Sequence, residues 1–160
     1  MTWHEQNKEY NEILNQLFLD ESWKKRAEAA QKLGFMRDGR AVNLLCRALR
    51  SEKDKMVQNR IIEALGKIGD GRATLRIVEI LEEELKNDTI DKFRLIYIIE
   101  SLMNIKDKRA LTYIGQFLNS QDDDLRKLTE KAFDLIEPKW HDIVEKERKK
   151  SIEEIFKAKK

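Results

Sequence analysis

The feature that most constrains the fold of this chain is a four-residue pattern, Asp-x-Arg-Ala, which occurs three times. It occupies residues 38–41, 70–73 and 107–110, so its alanines are separated by 32 and then 37 residues. Each copy follows a leucine and a second apolar residue at helical spacing, and each runs into another helical apolar pattern. Internal repeats with a period of about 20–50 residues are typical of solenoids. The sequence therefore predicts an all-α fold, an α-α superhelix built from antiparallel helical hairpins.

The chemistry of the pattern predicts how each hairpin turns. Asp38, Asp70 and Asp107 are expected to be N-caps, because a carboxylate can accept a hydrogen bond from an unpaired N–H group at the start of a helix. The preceding helices are expected to end near Gly34 and Gly66, where glycine can adopt the left-handed conformation. The arginine of each pattern lies in the first helical turn, where a positive charge opposes the helix dipole. We therefore expect it to bond to the aspartate of the neighbouring repeat.

Positions relative to the pattern divide the chain into repeats of a single domain, residues 1–160. The expected order is an N-terminal half-repeat cap at 4–21, repeats at 22–52, 53–87 and 88–120, and a degenerate fourth repeat with a C-terminal cap at 121–160. The fourth repeat has Glu137-Pro138-Lys139 in place of the pattern. Its last helix is expected to be continuous over residues 139–158.

The expected first helix of the third repeat, residues 89–104, is apolar on nearly every side. A helix with this pattern is normally buried by its neighbours, and this is the interpretation that we favour. The alternative is that Phe93 or Tyr97 remains exposed and serves as a site for a partner or for self-association.

Residues 57–73 carry the clearest likeness to a known family. The segment Ala64-Leu65-Gly66-Lys67-Ile68-Gly69-Asp70-Gly71-Arg72-Ala73, preceded by Val57, resembles the HEAT-like unit of the phycobilin-lyase type almost throughout. The first repeat matches that unit at Arg26, Ala29, Leu33, Gly34, Asp38, Arg40 and Ala41. The resemblance extends over residues 22–137. It implies a HEAT-like solenoid in which the second helices of the hairpins line a concave side where partners bind.

The sequence offers little for catalysis or metal binding. His4 and His141 are its two histidines and Cys46 is its one cysteine, whereas metal sites and nucleophilic triads need several such groups held together. We therefore expect a protein that is not an enzyme and holds no cofactor or metal, with Cys46 in the core. The single cysteine, the lack of a signal peptide and the lack of a long apolar run predict a soluble cytoplasmic protein with no membrane partner. A monomer or weak homodimer is the expected state.

Charge is distributed unevenly along the chain. Residues 22–76 contain 14 Lys or Arg and 6 Asp or Glu, a balance of +8, although the whole chain carries only +2. Such unevenness arises by chance on solvated surfaces, or it gives the first two repeats a basic face for an acidic partner. The sequence leaves both interpretations open.

Two classes of function fit these observations. The first is a protein-interaction scaffold that binds an unidentified protein partner on the concave face, through Asn43, Arg47, Arg50, Arg76, Glu79, Thr112, Tyr113 and Gln116. The second is binding of a nucleic-acid backbone through a basic face of Arg40, Lys53, Lys55 and Arg72, together with Arg47, Arg50 and Arg76. Aromatic residues that could stack on bases are scarce in this region, so the scaffold is the favoured hypothesis. The resemblance adds a further alternative, an accessory role in a bilin lyase-type complex.

Overall fold

The structure, a computed structural model, describes residues 2–157 of the 160. Within these residues every regular element is helical. The α-helices are α1 (Trp3–Leu19), α2 (Trp23–Met36), α3 (Val42–Ser51), α4 (Lys55–Ile68), α5 (Thr74–Leu85), α6 (Lys92–Ile105), α7 (Leu111–Ile114), α8 (Asp123–Ile136), α9 (Trp140–Lys146) and α10 (Ile152–Ile155). Short 3-10 turns at Gly39–Ala41, Gly71–Ala73 and Lys108–Ala110 precede α3, α5 and α7, and a fourth at Gly115–Asn119 follows α7.

The chain divides into two compact units, the first ending at Ala73 and the second beginning at Thr74. In the first unit α2 packs against α1 and, more extensively, against α4; in the second unit α6 packs against α5 and α8. The leucines that precede the repeated turns, Leu33, Leu65 and Leu102, are fully buried. Each unit therefore has its own apolar interior. The single domain over residues 1–160 stays a prediction.

Each repeated turn is closed by its own aspartate. Oδ1 of Asp38 accepts a hydrogen bond from the backbone N–H of Arg40 at 2.9 Å. The turns at Asp70 and Asp107 have the same geometry and the same distance. The carboxylate thus satisfies an N–H group that has no partner within the turn, and the following helix continues from there.

The arginine of each turn also bonds to the aspartate of its own turn, so the expected bond to a neighbouring repeat's aspartate is wrong. Nη2 of Arg72 lies 2.8 Å from Oδ2 of Asp70, and its Nε lies 3.1 Å from Oδ1. Arg40 and Arg109 form the same fork. The reason is geometric, because the carboxylate that caps the turn already faces the side chain two positions later. The link between repeats in the first unit is a hydrogen bond from Nη2 of Arg72 to the carbonyl of Gly39 at 3.1 Å.

The glycines expected to end the helices instead lie inside them. Gly34 and Gly66 belong to α2 and α4, and the left-handed residues come later, at Arg37 with φ 50° and Gly69 with φ 75°. Gly34 has a packing role. A Cβ at this position would lie 2.8 Å from Cα of Ala64, so α2 and α4 approach closely because Gly34 has no side chain.

The first helix of the third repeat, α6, is not buried on all sides, so the favoured interpretation of this helix is wrong. Phe93 is 73% exposed and Tyr97 is half-buried, whereas Leu95 and Leu102 are buried. Helical spacing explains the difference, because Phe93, Tyr97 and Glu100 share one face and the buried residues share the other. The exposed Phe93 of the alternative is observed, and its use as a binding site stays a prediction.

The last part of the described chain is not the continuous helix expected over residues 139–158. α9 ends at Lys146, and α10 begins at Ile152 after a charged turn. Residues 145–150 contain no apolar side chain that could hold a helix against a neighbour. The hydroxyl of Ser151 then starts α10 by accepting a hydrogen bond from the N–H of Glu154 at 3.3 Å. Position 158 lies outside the described residues.

Replacing Asp70 by alanine is expected to lower the free energy of unfolding by about 1 kcal/mol at neutral pH, because the turn loses its cap. Hydrogen bonds from the side chain and backbone N–H of Arg72 hold the pKa of Asp70 below its ordinary value. The cap therefore contributes fully above about pH 4, and its contribution is lost as the pH falls through the lowered pKa. Urea unfolding of both proteins across this range should show the difference shrinking towards zero in acid.

The matched control for this substitution is Asp88→Ala, at an exposed aspartate in the loop that follows α5. It should leave the free energy of unfolding unchanged at every pH. An Asp70→Ala protein as stable as the wild type at neutral pH would contradict the capping role.

Candidate functional site

The second helix of the first repeat, α3, presents one polar face to solvent. Asn43, Arg47 and Arg50 are exposed, whereas Leu45 and Leu49 on the other face are buried. The exposed residues are separated by four and then three positions, which places them in a line along the helix. We call Asn43, Arg47 and Arg50 the α3 stripe.

The two arginines of the α3 stripe are uncompensated, unlike those of the repeated turns. The side chains of Arg47 and Arg50 form no hydrogen bond or ion pair with any residue in the range 2–157. Arg72, by contrast, is held by Asp70 at 2.8 Å, and Arg40 is held in the same way by its own turn. A partner that approaches the α3 stripe therefore meets two guanidinium groups whose N–H donors are all available.

Cys46 lies on α3 beside the α3 stripe and is half-buried, rather than the fully buried core residue that was expected. Burial raises the pKa of its thiol, although the nearby positive charges of Arg72 and Arg50 oppose this shift. A thiol with a raised pKa stays protonated at neutral pH and is a poor nucleophile. The geometry therefore gives Cys46 a packing role.

The described residues do not group the side chains that a metal needs. Between residues 2 and 157, no three histidine, cysteine, aspartate or glutamate side chains are arranged so that they could hold a metal ion. His4 lies in α1 of the first unit and His141 in α9 of the second. The expectation that the chain is not an enzyme stays a prediction.

The second helix of the next repeat, α5, is acidic rather than basic. Arg76 is ion-paired with Glu79 one helical turn later, and only 17% of the Arg76 side chain is exposed. Glu82 and Glu83 are exposed further along the same helix. Arg76 and Glu79 therefore offer a partner a neutralised pair, and they belong to the second unit, whereas the α3 stripe belongs to the first.

The contact residues expected in the third repeat lie beside the last described helix. Thr112 and Tyr113 are half-buried and Gln116 is exposed. Oγ1 of Thr112 donates a hydrogen bond to the backbone carbonyl of Glu153 at 2.7 Å, and Nε2 of Gln116 donates one to the carbonyl of Tyr113 at 3.0 Å. α10 contacts α7 along this side. This part of the expected face is thus partly covered by the chain itself.

The residues expected to form a basic face have different surroundings. Lys53 and Lys55 are exposed around the start of α4. Arg40 and Arg72 are engaged by the aspartates of their turns, and the guanidinium of Arg40 also lies 4.6 Å from the ring centre of Tyr10. These two arginines therefore stabilise the turns.

Comparison with known protein families agrees with this geometry. The family model of HEAT repeats matches residues 10–95, more than half of the chain. The chain belongs to the HEAT-repeat family. The all-α helical solenoid predicted from the repeated turns is thereby confirmed, while the closer likeness to the phycobilin-lyase type stays a prediction. No curated protein matches the chain.

HEAT repeats generally mediate protein–protein interaction, and the matched region of this HEAT-repeat protein contains the α3 stripe. No helix within residues 2–157 is both long enough and apolar enough to cross a membrane. The family match is compatible with a protein partner.

Sequence patterns did not identify Gly115 and Ile152, the two residues that meet where α10 covers α7. One signal was present. Gly115 lies in the helical apolar pattern that follows the third repeated turn, and glycine inside a helix costs about 1 kcal/mol relative to alanine. A glycine inside a helix often marks a close approach by another element.

Proposed function

We propose that this HEAT-repeat protein is a non-catalytic scaffold in which the α3 stripe binds an acidic segment of a partner protein. The observation that carries the proposal is the pair of exposed arginines, Arg47 and Arg50, without a compensating carboxylate in the described part of the chain. Guanidinium groups bind carboxylates in bidentate geometry. We also propose that the protein is a monomer or weak homodimer, and that it is cytoplasmic, because a single cysteine favours a reducing compartment.

Binding to a nucleic-acid backbone through residues 22–76 is the weaker alternative. Phosphate binding needs free cations, and Arg40, Arg72 and Arg76 are ion-paired with carboxylates. The sequence of α3 also has no aromatic residue on which a base could stack. An accessory role in a bilin lyase-type complex rests on the family resemblance alone.

Replacing both Arg47 and Arg50 by glutamate is expected to weaken binding of an acidic probe, labelled poly-glutamate, by about tenfold, since two attractive charges become repulsive. Fluorescence anisotropy at low and at physiological salt measures the change, which should be larger at low salt. The free energy of unfolding should stay within about 0.5 kcal/mol of the wild type, because both positions are exposed and unpaired.

The matched control is Lys25→Glu with Lys32→Glu, at two exposed positions of α2, which changes the net charge by the same amount. If both double variants bind poly-glutamate equally weakly, net charge alone causes the effect, and this result would contradict the assignment of the site to α3. Tighter binding of duplex DNA than of poly-glutamate would favour the nucleic-acid alternative. Affinity capture in the presence of nuclease then tests for a protein partner. The wild type and the lysine double variant should each capture the same defined protein, and the arginine double variant should not.

A further inference from the structure

A short helix of this chain, α10, occupies a groove of its own unit. The groove is formed by α7, the 3-10 turn that follows it and α8. Ile152 packs directly onto Gly115, and the ring of Phe156 lies edge-on to that of Phe133, with ring centres 5.2 Å apart. We call this surface the Gly115 groove.

The fit of the segment depends on the absence of a side chain at Gly115. A Cβ at this position would lie 2.5 Å from Cγ2 of Ile152, well inside van der Waals contact, but 3.6 Å from Cζ of Phe133, an ordinary contact distance. The obstacle to a side chain here is therefore Ile152 and not the body of the unit. The hydrogen bond from Oγ1 of Thr112 to the carbonyl of Glu153, at 2.7 Å, holds the backbone beside this contact.

α10 is nevertheless only partly buried in the groove. The helix has four residues, none of them fully buried, and helices of this length are not stable by themselves. The preceding turn, residues 147–151, is charged and largely exposed, and an open cleft lined by Gln116, Asn119 and Val144 runs beside the segment. Few buried contacts and an exposed connection are features of elements that open locally.

We propose that the Gly115 groove is a docking site for a short amphipathic helix of a partner protein, and that residues 151–157 fill it until such a helix displaces them. The segment shows what the occupant must offer. It has an aliphatic side chain, Ile152, followed three and four positions later by the apolar side chains of Ile155 and Phe156. Two acidic residues, Glu153 and Glu154, lie between them. This is the helix-in-groove mode of recognition. The site lies in the second unit and does not depend on the α3 stripe.

The connection between α9 and α10 determines how tightly a partner helix must bind in order to displace the segment. A short flexible connection keeps the segment near its groove at an effective concentration of about 1 mM. If the segment binds with an intrinsic Kd of about 100 μM, the groove is filled most of the time, and a free peptide of equal affinity binds about tenfold more weakly than it would to an empty groove. A partner helix with a tighter intrinsic affinity displaces the segment.

The first test uses the full chain and a labelled peptide with the sequence of residues 151–157. Ile152→Asp should release the segment, because it replaces the apolar side chain that packs on Gly115 with a charged one. This variant is expected to bind the peptide about tenfold more tightly than the wild type in fluorescence anisotropy. A control peptide that itself carries Ile152→Asp should bind neither protein. Equal binding of the unaltered peptide to both proteins, or binding to neither, overturns the proposal.

A second variant, Gly115→Ala, distinguishes displacement of the segment from unfolding. The new Cβ collides with Ile152 and with no other residue nearby, and alanine is a better helix former than glycine. The melting temperature should therefore stay close to that of the wild type, while the amide NMR signals of residues 152–157 move to the positions of an unstructured chain. Because the same Cβ narrows the groove, adding Gly115→Ala to Ile152→Asp should abolish the gained peptide binding. Retained binding in that double variant overturns the proposal.

Amide hydrogen exchange in the wild type provides a measurement that needs no variant. The N–H groups of Ile155 and Phe156 bond to carbonyls within the segment, and they should exchange about a hundredfold faster than that of Phe133 in α8. Equal protection would make α10 a fixed part of the unit and overturn displacement. A concentration-dependent dimer of the wild type would assign the groove to a second copy and overturn the partner assignment.

Discussion

Replacing Glu84 by leucine is expected to lower the free energy of unfolding by about 3–5 kcal/mol, because it removes a carboxylate that compensates a buried guanidinium. Glu84 on α5 and Arg94 on α6 are 2% and 4% exposed, and Nε of Arg94 lies 3.6 Å from Oε1 of Glu84. Burial lowers the pKa of the Arg94 guanidinium, and Glu84 provides the largest opposing attraction. Without this carboxylate the guanidinium stays in a site from which water is excluded. Urea unfolding followed by circular dichroism measures the loss.

The double replacement of Glu84 by leucine and Arg94 by methionine is the decisive comparison. Removing both charges removes both desolvation costs, so the double variant should lose much less stability than Glu84→Leu alone. Glu82→Leu, at an exposed position of the same helix, should change the free energy of unfolding by less than about 0.5 kcal/mol. If Glu84→Leu costs no more than Glu82→Leu, the pair is not the buried interaction described here.

Replacing Gly34 by valine is expected to destabilise the first unit by about 3 kcal/mol, because α2 and α4 must separate to admit the side chain. The Cβ alone would lie 2.8 Å from Cα and 3.0 Å from Cβ of Ala64, and Ala64 is itself 1% exposed. A neighbouring backbone atom cannot move aside as the end of a flexible side chain can. Thermal unfolding should therefore show a large decrease in melting temperature.

Gly39→Val is the matched control for that substitution. The nearest atom to a Cβ at Gly39 is Nη2 of Arg72, 3.9 Å away and at the end of a flexible side chain. This variant should unfold within a few degrees of the wild type. Similar decreases in melting temperature in the two variants would mean that valine destabilises the chain through its backbone conformational preference. This result would contradict the close approach of α2 and α4 at Gly34.

The hairpin architecture could be predicted because its determinants are local in sequence. Asp38 caps a turn two residues away, and Leu33 is buried by a periodicity that extends over a single helix. Three copies of such a pattern at similar spacing leave few alternatives to stacked hairpins. The family match over residues 10–95 agrees with this inference from spacing.

The incorrect predictions concern contacts between elements. Composition does not distinguish a glycine that ends a helix from one that allows another helix to approach, and Gly34 is the second kind. Nor does the continuous charged run at residues 145–150 reveal that the chain turns there and returns to Gly115. Arg94 lies between Phe93 and Leu95 in a helix rich in apolar residues, which was a signal for a buried acidic neighbour. The sequence could not indicate that Glu84 is that neighbour.

In the candidate site, too, the local pattern could be predicted from the sequence and the contacts between side chains could not. The exposure of Arg47 and Arg50 follows from helical periodicity alone, since Leu45 and Leu49 define the buried side of α3. Arg76 has the same spacing pattern, yet its own helix supplies a carboxylate that neutralises it. Periodicity places a side chain on a face of a helix, whereas its availability depends on which groups lie beside it.

The charge balance within each repeated turn has a consequence for how such chains change in length. Because the arginine and the aspartate of every turn neutralise each other, duplicating or deleting one hairpin adds or removes a neutral pair. The charge along the turns then changes only through the residue between them, which is glycine in the first two turns and Lys108 in the third. The residues that distinguish one hairpin from another then lie on the second helices, basic on α3 and acidic on α5. Array length and binding specificity can therefore evolve separately.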